Sequence, residues 1–439
     1  MIWIDFIILL GCIVWGARLG GIGLGTVAAF GMSLFVFGFG RAPGKFPGEV
    51  LLIVLCVVTA AAALQAAGGL DAMVSVAENL LRRHPQQITL LAPLISYAFT
   101  FVSGTGHVSY SLLPIIAEVS RKVKERPEQP LSISVIASQA AVTASPMSAA
   151  TAGMVALFSR DGRFGLTDIL MICIPSTLIG VLAGALSVRK MGVELEQDPI
   201  YRERLAKGEV AEEANVETRT VPPGAKWSIA LFLGAVVLIT LLGVVPGLRP
   251  DFMVDGKLEK LSMVVSISLV TLGATALMLF VAKVKPDAVV SSSVMKAGVV
   301  AVISILGIAW MGSTFFEAHQ KEILSSISTY VVSYPWLFAF ALFLLSILLY
   351  SQAATVAALM GVGLQLGIAP PMLIAMFPAV NGYFFLPTYA TIVAAIQFDS
   401  TGTTGVGRWV LNHSFMRAGL VTSIVTVTVG LLLAKLFYG

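Results

Sequence analysis

Four short clusters of glycine, proline and neutral polar residues interrupt otherwise apolar stretches of this sequence. None of its Asp, Glu, Lys or Arg residues lies within 103–117, 131–159 or 346–397, where the clusters occur. Chemistry that needs a carboxylate, an ammonium or a guanidinium is therefore absent from these stretches. The clusters are Ser103, Gly104, Thr105, Gly106 and His107; then Ser145, Pro146 and Ser148; then Ser351, Gln352 and Thr355; and finally Pro387, Thr388 and Tyr389.

Breaks of this kind expose the ends of half-helices inside a membrane protein. A helix N-terminus presents unpaired N–H groups and a partial positive charge, so it can hold a carboxylate or phosphate without an arginine. Gly104 and Gly106 let the backbone approach a ligand closely, while the Ser, Thr and Gln side chains add neutral hydrogen-bond donors. Four such ends suit two anionic groups, and we predict a site for a small dianion with separated charges.

His107 is the only group of the clusters that titrates near neutral pH, so it could bind substrate or take up a proton. A histidine that is merely hydrogen-bonded is an equally good interpretation. No histidine pair has metal-ligand spacing, and the three cysteines stand singly in apolar runs. The sequence also lacks GxxxxGK[ST], HExxH and GxSxG motifs. We therefore predict no metal, no cofactor and no enzyme.

The composition shows what kind of protein must position these clusters. Of 439 residues, 57% are hydrophobic and only 12% are charged, whereas soluble domains carry about a quarter charged residues. The net charge of +4 forms no basic field for nucleic acid. We predict an all-α polytopic membrane protein that contacts the lipid bilayer and binds no nucleic acid.

Apolar runs of about 20 residues are long enough to cross a bilayer. The sequence contains eight uninterrupted candidates, at 3–17, 20–39, 49–69, 168–188, 227–245, 262–282, 294–316 and 416–437. The remaining apolar stretches contain the four clusters. We interpret 87–120 and 335–366 as re-entrant hairpins, because each is too long for one span and polar near its middle. We interpret 131–158 and 371–397 as broken helices.

The two halves of the chain show the same order of elements. Residues 1–188 and 227–439 each contain three spans, a short amphipathic piece, a hairpin, a broken helix and a final span. Five crossings per half is an odd number, so the second copy would enter the membrane inverted relative to the first. This is the inverted-repeat plan of secondary transporters, with about ten transmembrane helices.

Charge gives an independent orientation, because cytoplasmic loops are rich in Lys and Arg. With the N-terminus outside, 19 of the 28 basic residues lie on the cytoplasmic side. We therefore expect both termini in the periplasm. The stretch 189–226 holds 15 charged residues, and we predict a solvated cytoplasmic linker between the repeats.

Three charged residues near the first hairpin are candidates for gating or coupling. Residues 70–83 form an amphipathic, interfacial helix in which Glu78 and Arg82 are four residues apart and can simply pair. Arg126 follows the hairpin exit. A role in gating is the alternative interpretation for all three.

Several segments together resemble the anaerobic C4-dicarboxylate (Dcu) transporter family, of the DcuA and DcuB type. The likeness runs from the first span to Phe415. It is carried by GARLGGI at 16–22, QAAGGLD at 65–71, LLRR at 80–83, GTGH at 104–107, SQAA at 351–354, LPTY at 386–389 and AIQFDSTGTT at 395–404.

The resemblance implies a function as well as a fold. It implies exchange of fumarate, malate, aspartate and succinate across the bacterial inner membrane. It also implies the ion-transporter fold, a homodimer formed by a scaffold, and elevator-type movement of a domain that holds both hairpins.

Two other functions fit the same residues. A sodium-coupled dicarboxylate symporter is one, because uncharged tips with exposed carbonyl groups can also hold Na⁺. A dicarboxylate co-sensor that partners a sensor kinase through the 189–226 loop is the other.

Overall fold

The computed structural model describes residues 2–19, 21–44, 46–158, 163–210, 222–254, 257–334, 336–349, 351–387, 389–407 and 411–439. Nearly all of its regular structure is helical. The first half contains α1 (Ile2–Leu19), α2 (Gly23–Ser33), α3 (Gly48–Ala66), α4 (Gly69–Arg83), α5 (Ile88–Ser103), α6 (Leu113–Lys122), α7 (Glu128–Ala144), α8 (Ala149–Phe158) and α9 (Leu166–Val188). A π-helical turn at Leu34–Gly38 extends α2, and 3-10 turns lie at Pro85–Gln87 and Gly106–Ser111.

The linker and the second half are also mostly helical. Their helices are α10 (Pro199–Ala206), α11 (Ala225–Val244), α12 (Met263–Val281), α13 (Pro286–Ser291), α14 (Ser293–Ser333), α15 (Trp336–Leu349), α16 (Gln352–Thr355), α17 (Gly361–Gln365), α18 (Pro370–Met376), α19 (Ala390–Phe398) and α20 (Phe415–Tyr438). A π-helical turn at Val356–Met360 joins α16 to α17, and 3-10 turns lie at Leu195–Gln197, Pro246–Leu248 and Phe377–Phe384.

The predicted class of protein is confirmed, because seven segments of the described chain are helical, at least 18 residues long and apolar enough to cross a membrane. The chain is a multi-pass helical membrane protein. The total of ten spans and the two re-entrant hairpins stay predictions. The strictly all-α expectation misses a small antiparallel hairpin of β1 (Asp251–Val254) and β2 (Lys257–Lys260), in which Asp251 pairs with Lys260.

Local signals explain where the elements at the clusters begin and end. Gly104 ends α5 in the left-handed conformation, at φ 73°, which glycine adopts without a steric penalty. Ser351 starts α16 as an N-cap whose side chain accepts a hydrogen bond from the Ala354 amide. In contrast, α14 runs well beyond the predicted span at 294–316, with a kink at His319 (φ −122°, ψ 17°).

Helices of one half of the chain pack against helices of the other half. The second helix of one half packs against the third of the other, since α2 contacts α14 and α12 contacts α3. The last helices of the halves, α9 and α20, pack against each other. In each half, the helix before the cluster packs on the interrupted stretch that follows, α5 on α7 and α15 on the 3-10 turn Phe377–Phe384. A pseudo-two-fold axis between the halves would produce this pattern.

The described part of the linker is less solvated than its charge suggests. Leu195 and Asp198 are buried, and the Asp198 carboxylate caps α10 by accepting hydrogen bonds from the Ile200 and Tyr201 amides. Arg204, on the same short helix, donates to the Ser400 carbonyl oxygen at 3.2 Å. This segment therefore packs against the loop that follows α19.

Candidate functional site

The first hairpin tip lies directly against the first helix break. Gly104 approaches Met147 so closely that a Cβ atom at position 104 would lie 2.1 Å from the Met147 carbonyl oxygen. The Ser103 hydroxyl is buried and donates to the Thr105 carbonyl oxygen at 3.2 Å. Only glycine fits this contact, since the position also has a positive φ.

Hydrogen bonds of two serine hydroxyl groups stabilise the first break. Ser145 Oγ donates to the Phe101 carbonyl oxygen at 2.6 Å and accepts from the Met147 amide. Ser148 Oγ accepts from the Thr151 amide and donates to Thr151 Oγ1, both at 3.0 Å. These hydroxyls are buried and have internal partners, so the structure gives them a capping role rather than a place on the cavity wall.

The amide side chain of Gln352 links the second tip to α7. Gln352 Nε2 donates to the Gln139 carbonyl oxygen at 2.7 Å and also to Asn381 Oδ1. Thr355 is fully buried and donates to the Ser351 carbonyl oxygen at 2.8 Å. Ser351 and Gln352 therefore remain the polar side chains of this cluster that face open space.

At the second break, the chain turns between the 3-10 turn Phe377–Phe384 and α19. Tyr389 precedes α19 and packs on Tyr383, with ring centroids 4.4 Å apart. Pro387 lies in the turn before it. Thr388 lies outside the described residues, as does the side chain of His107, whose backbone belongs to the 3-10 turn Gly106–Ser111.

Residues from both tips and from the segments at both breaks line one cavity of about 940 Å³. The first tip contributes Ser103, Gly104, Thr105 and Gly106, and the second tip contributes Ser351 and Gln352. The breaks contribute Met147 and Tyr389 with their neighbours, whereas Ser145, Pro146, Ser148, Thr355 and Pro387 do not line the cavity. Helices α1, α2, α3 and α14 form the opposite wall.

Three helices begin at this cavity. The first two residues of α8, of α16 and of α19 all line it: Ala149 and Ala150, Gln352 and Ala353, Ala390 and Thr391. Helix N-termini carry partial positive charge and backbone donors. The arrangement can therefore stabilise anionic groups inside a largely uncharged cavity.

Sequence reasoning missed several polar lining residues, and three of them bear on the chemistry of the cavity. Gln139 is 2% exposed, and neither atom of its side-chain amide has a partner among the described residues. Thr391 likewise has a buried hydroxyl without a partner there. Arg18, at the end of α1, brings a charge to the wall. A glutamine within a span-length apolar stretch was the one available signal, because polar groups in membrane helices need partners.

Arg82 and Glu78 lie away from the cavity and form a clamp between α4 and α6. Arg82 Nε donates to Glu78 Oε1 at 2.9 Å, as the spacing predicts. The Arg82 guanidinium also makes a bidentate contact with the buried Glu118 carboxylate at 3.1 and 3.0 Å. The contact holds the amphipathic helix α4 against α6.

Arg126 connects α7 to the linker through two carboxylates. Its guanidinium donates to Glu128 Oε2 at 2.6 Å and to Asp198 Oδ2. Burial acts to raise the pKa of Asp198, but hydrogen bonds from the Tyr201 amide and from Arg126 outweigh it, and the pKa is lowered. Asp198 is therefore a carboxylate at neutral pH, and Arg126 is a structural link on the linker side of the molecule.

In the part of the chain that the structure describes, no group of three His, Cys, Asp or Glu residues could hold a metal ion. The three cysteines are free and buried. The cavity is thus built from backbone ends, neutral side chains and one arginine.

The chain was compared with known proteins. Residues 1–438 match the model of a family described as anaerobic C4-dicarboxylate membrane transporters. The chain is 41% identical to the anaerobic C4-dicarboxylate transporter DcuB of Escherichia coli O6:H1, covering 99% of this chain and 98% of that protein. It is 39% identical to the C4-dicarboxylate transporter DcuA of Wolinella succinogenes, covering 99% and 100%. These relatives are named as transporters and not as enzymes.

Two solved structures share the fold. One is MtrF of Neisseria gonorrhoeae, whose report concerns a class of antimetabolite efflux pumps; the TM-score is 0.57 at 13% identity, covering 89% of this chain and 80% of that one. The other is the YdaH transporter of Alcanivorax borkumensis, with a TM-score of 0.57 at 17% identity, covering 99% and 96%. At these identities the likeness concerns the fold alone.

Proposed function

The chain belongs to the DcuA/DcuB family of anaerobic C4-dicarboxylate membrane transporters, and from this premise we propose that it exchanges C4-dicarboxylates across the bacterial inner membrane. Fumarate, malate, aspartate and succinate are the substrates we expect. The observation that carries the proposal is that three helix N-termini and the segments 103–106 and 351–352 meet at one cavity.

In this proposal the two substrate carboxylates bind at different helix ends. One lies between Thr105 and Gly106 of the first tip and the start of α8. The other lies near Ser351, Gln352 and the start of α19. Backbone N–H groups and neutral side chains hold the charge, because helix ends stabilise anions without a counter-ion. Gln139 and Thr391 add hydrogen bonds, since their polar groups are buried and unpartnered among the described residues.

We further propose an elevator-type cycle. The cavity lies between a wall of α1, α2, α3 and α14 and the module that bears both tips. A rigid movement of that module along the wall would carry the site from one membrane face to the other. The repeats 1–188 and 227–439, the re-entrant hairpins, the periplasmic termini and a homodimer formed by the wall side complete the proposal. His107 and Thr388 stay candidate substrate contacts.

Exchange in proteoliposomes tests the function directly. Vesicles loaded with succinate should take up labelled fumarate or aspartate, and empty vesicles should not. An imposed Na⁺ gradient should leave the rate unchanged. Uptake into empty vesicles that is driven by Na⁺ would overturn antiport and establish the sodium-coupled symporter instead.

A further inference from the structure

One arginine lines the cavity and has no partner among the residues that the structure describes. Arg18 lies in the last turn of α1, is exposed, and lines the cavity together with Val14, one helical turn before it. It is the only ionised side chain among the described residues of the cavity lining. Within the described part of the chain, no carboxylate or hydrogen-bond acceptor pairs with it.

Three other arginines of the described chain pair with carboxylates. Arg41 pairs with Asp5 at 3.0 Å, Arg82 with Glu118 at 3.0 Å, and Arg126 with Glu128 at 2.6 Å. A cation at a helix C-terminus is favourable, and one on the cytoplasmic side helps to orient the protein. Neither reason requires the side chain to face the cavity. An unpaired charge on the wall of an otherwise uncharged anion cavity acts on whatever enters it.

We propose that Arg18 is a specificity-determining residue that favours substrates with a net charge of −2 over substrates that also carry an ammonium group. This inference rests on the proposed function. Succinate and fumarate carry two carboxylates at neutral pH, whereas aspartate carries two carboxylates and one ammonium. Helix ends bind each carboxylate locally, but a charge at the wall interacts with the net charge of the substrate. Arg18 therefore gives the two substrate classes different affinities, whereas the tips alone would bind both classes equally.

Arg18→Gln should change the preference between substrates. Removing one charge from the wall should raise the KM for succinate roughly tenfold. It should raise the KM for aspartate about threefold. Aspartate has half the net charge of succinate and so half the interaction energy with the arginine, which makes the fold-change in its KM the square root of that for succinate. Arg18→Lys keeps the charge and should keep the wild-type KM ratio. Adding salt should shrink the difference between wild type and Arg18→Gln.

Lys296→Gln is the matched control. Lys296 is an exposed cation on α14, beside the lining residues Val294 and Ala297, but it does not itself line the cavity. Its removal takes away a positive charge near the cavity without changing the cavity wall. The succinate-to-aspartate KM ratio should stay at the wild-type value. An equal change in Lys296→Gln would overturn a role specific to Arg18.

A second variant separates charge from folding. Arg18→Cys, made in a protein whose Cys12, Cys56 and Cys173 are replaced by Ala, can be modified after purification and reconstitution. A thiol reagent carrying a quaternary ammonium should lower the succinate KM relative to aspartate, and a sulfonate reagent should raise it. Equal effects of both reagents on both substrates would overturn the proposal.

Different results would overturn the proposed function and the role of Arg18. A wild-type protein that exchanges neither succinate nor aspartate would overturn the proposed function, and the role of Arg18 with it. Wild-type exchange of both substrates with an unchanged KM ratio in Arg18→Gln would overturn the role of Arg18 alone.

Discussion

At the scale of single residues, two polar side chains that line the cavity, Gln139 and Thr391, have no partner among the described residues. A buried amide without hydrogen bonds is costly, because its desolvation is not compensated. In the part of the chain that the structure describes, neither polar atom of the Gln139 side chain has a partner, while Gln352 Nε2 beside it donates two hydrogen bonds. Ser145 and Ser148, which sequence reasoning grouped with the site, are engaged as well. The unpartnered groups are therefore the better candidates for substrate contact.

Gln139→Leu should raise the KM for succinate about tenfold while the thermal stability of the protein is unchanged or higher. The substitution removes a donor and an acceptor that the substrate would use, and it replaces an unpaired buried amide with an apolar group of similar size. Transport kinetics and a thermal melt in detergent measure the two effects.

Gln129 provides the contrast on the same helix. It is also buried, but its amide donates to the Met191 carbonyl oxygen at 2.9 Å and it does not line the cavity. Gln129→Leu should destabilise the protein by about 1 kcal/mol and leave the KM unchanged. An unchanged succinate KM in Gln139→Leu would remove Gln139 from the site.

At the scale of elements, the function depends on where helices stop. The first tip and the first break interlock through Gly104 and Met147, so the end of α5 and the start of α8 are positioned together. Each tip is thus fixed to a broken helix by backbone contact or by an amide, as Gln352 fixes the second tip to α7. The helix ends are therefore preorganised before any anion arrives.

Gly104→Ala should reduce exchange by at least about tenfold, or prevent stable folding, because the new methyl group meets the Met147 carbonyl oxygen and the residue has a positive φ. Gly273→Ala, on α12, places its methyl group where no other atom lies within 4 Å and should behave as wild type. Exchange rate per folded protein, with size-exclusion profiles, measures both. A Gly104→Ala protein with wild-type exchange would contradict the interlocked tip.

At the scale of the whole molecule, the contacts divide into two groups. Helices α1, α2, α3 and α14 pack among themselves on one side of the cavity. The tips, the broken helices and the pair α9 and α20 lie on the other side. The elevator proposal requires these groups to move past each other, and cross-links across and within the groups test it.

A disulfide between the groups should stop exchange. A Cβ atom at Gly153 on α8 would lie 3.8 Å from Val50 Cγ1 on α3, so cysteine side chains at the two positions would be neighbours. In the cysteine-free background, Val50→Cys with Gly153→Cys should lose exchange on oxidation and regain it on reduction.

The control joins two helices of the same group. A Cβ atom at Gly180 on α9 would lie 3.1 Å from Thr426 Cβ on α20. Gly180→Cys with Thr426→Cys should keep exchanging after oxidation, because both helices move as one body. Undiminished exchange with the 50–153 cross-link formed would contradict the elevator.

The sequence by itself determined the class of the protein and the chemistry it can offer. Composition and the length of apolar runs are local quantities, and they decide whether a segment is stable as a helix across a bilayer. A multi-pass helical protein therefore follows from them. The interruptions at Gly104 and Ser351 were visible because glycine and capping residues act on their own backbone. The predicted order of elements in the two halves rests on the same signals.

Only the tertiary structure decided which polar groups face the cavity. Hydrogen-bond partners such as Phe101 for Ser145, or Gln139 for Gln352, lie far apart in the chain and leave no local pattern. The sequence therefore grouped Ser145 with a cavity that it does not line, and it did not single out Gln139 and Arg18, which line that cavity. Whether a polar side chain is free to bind a ligand depends on what the fold places beside it, and hydropathy and spacing carry no information about that.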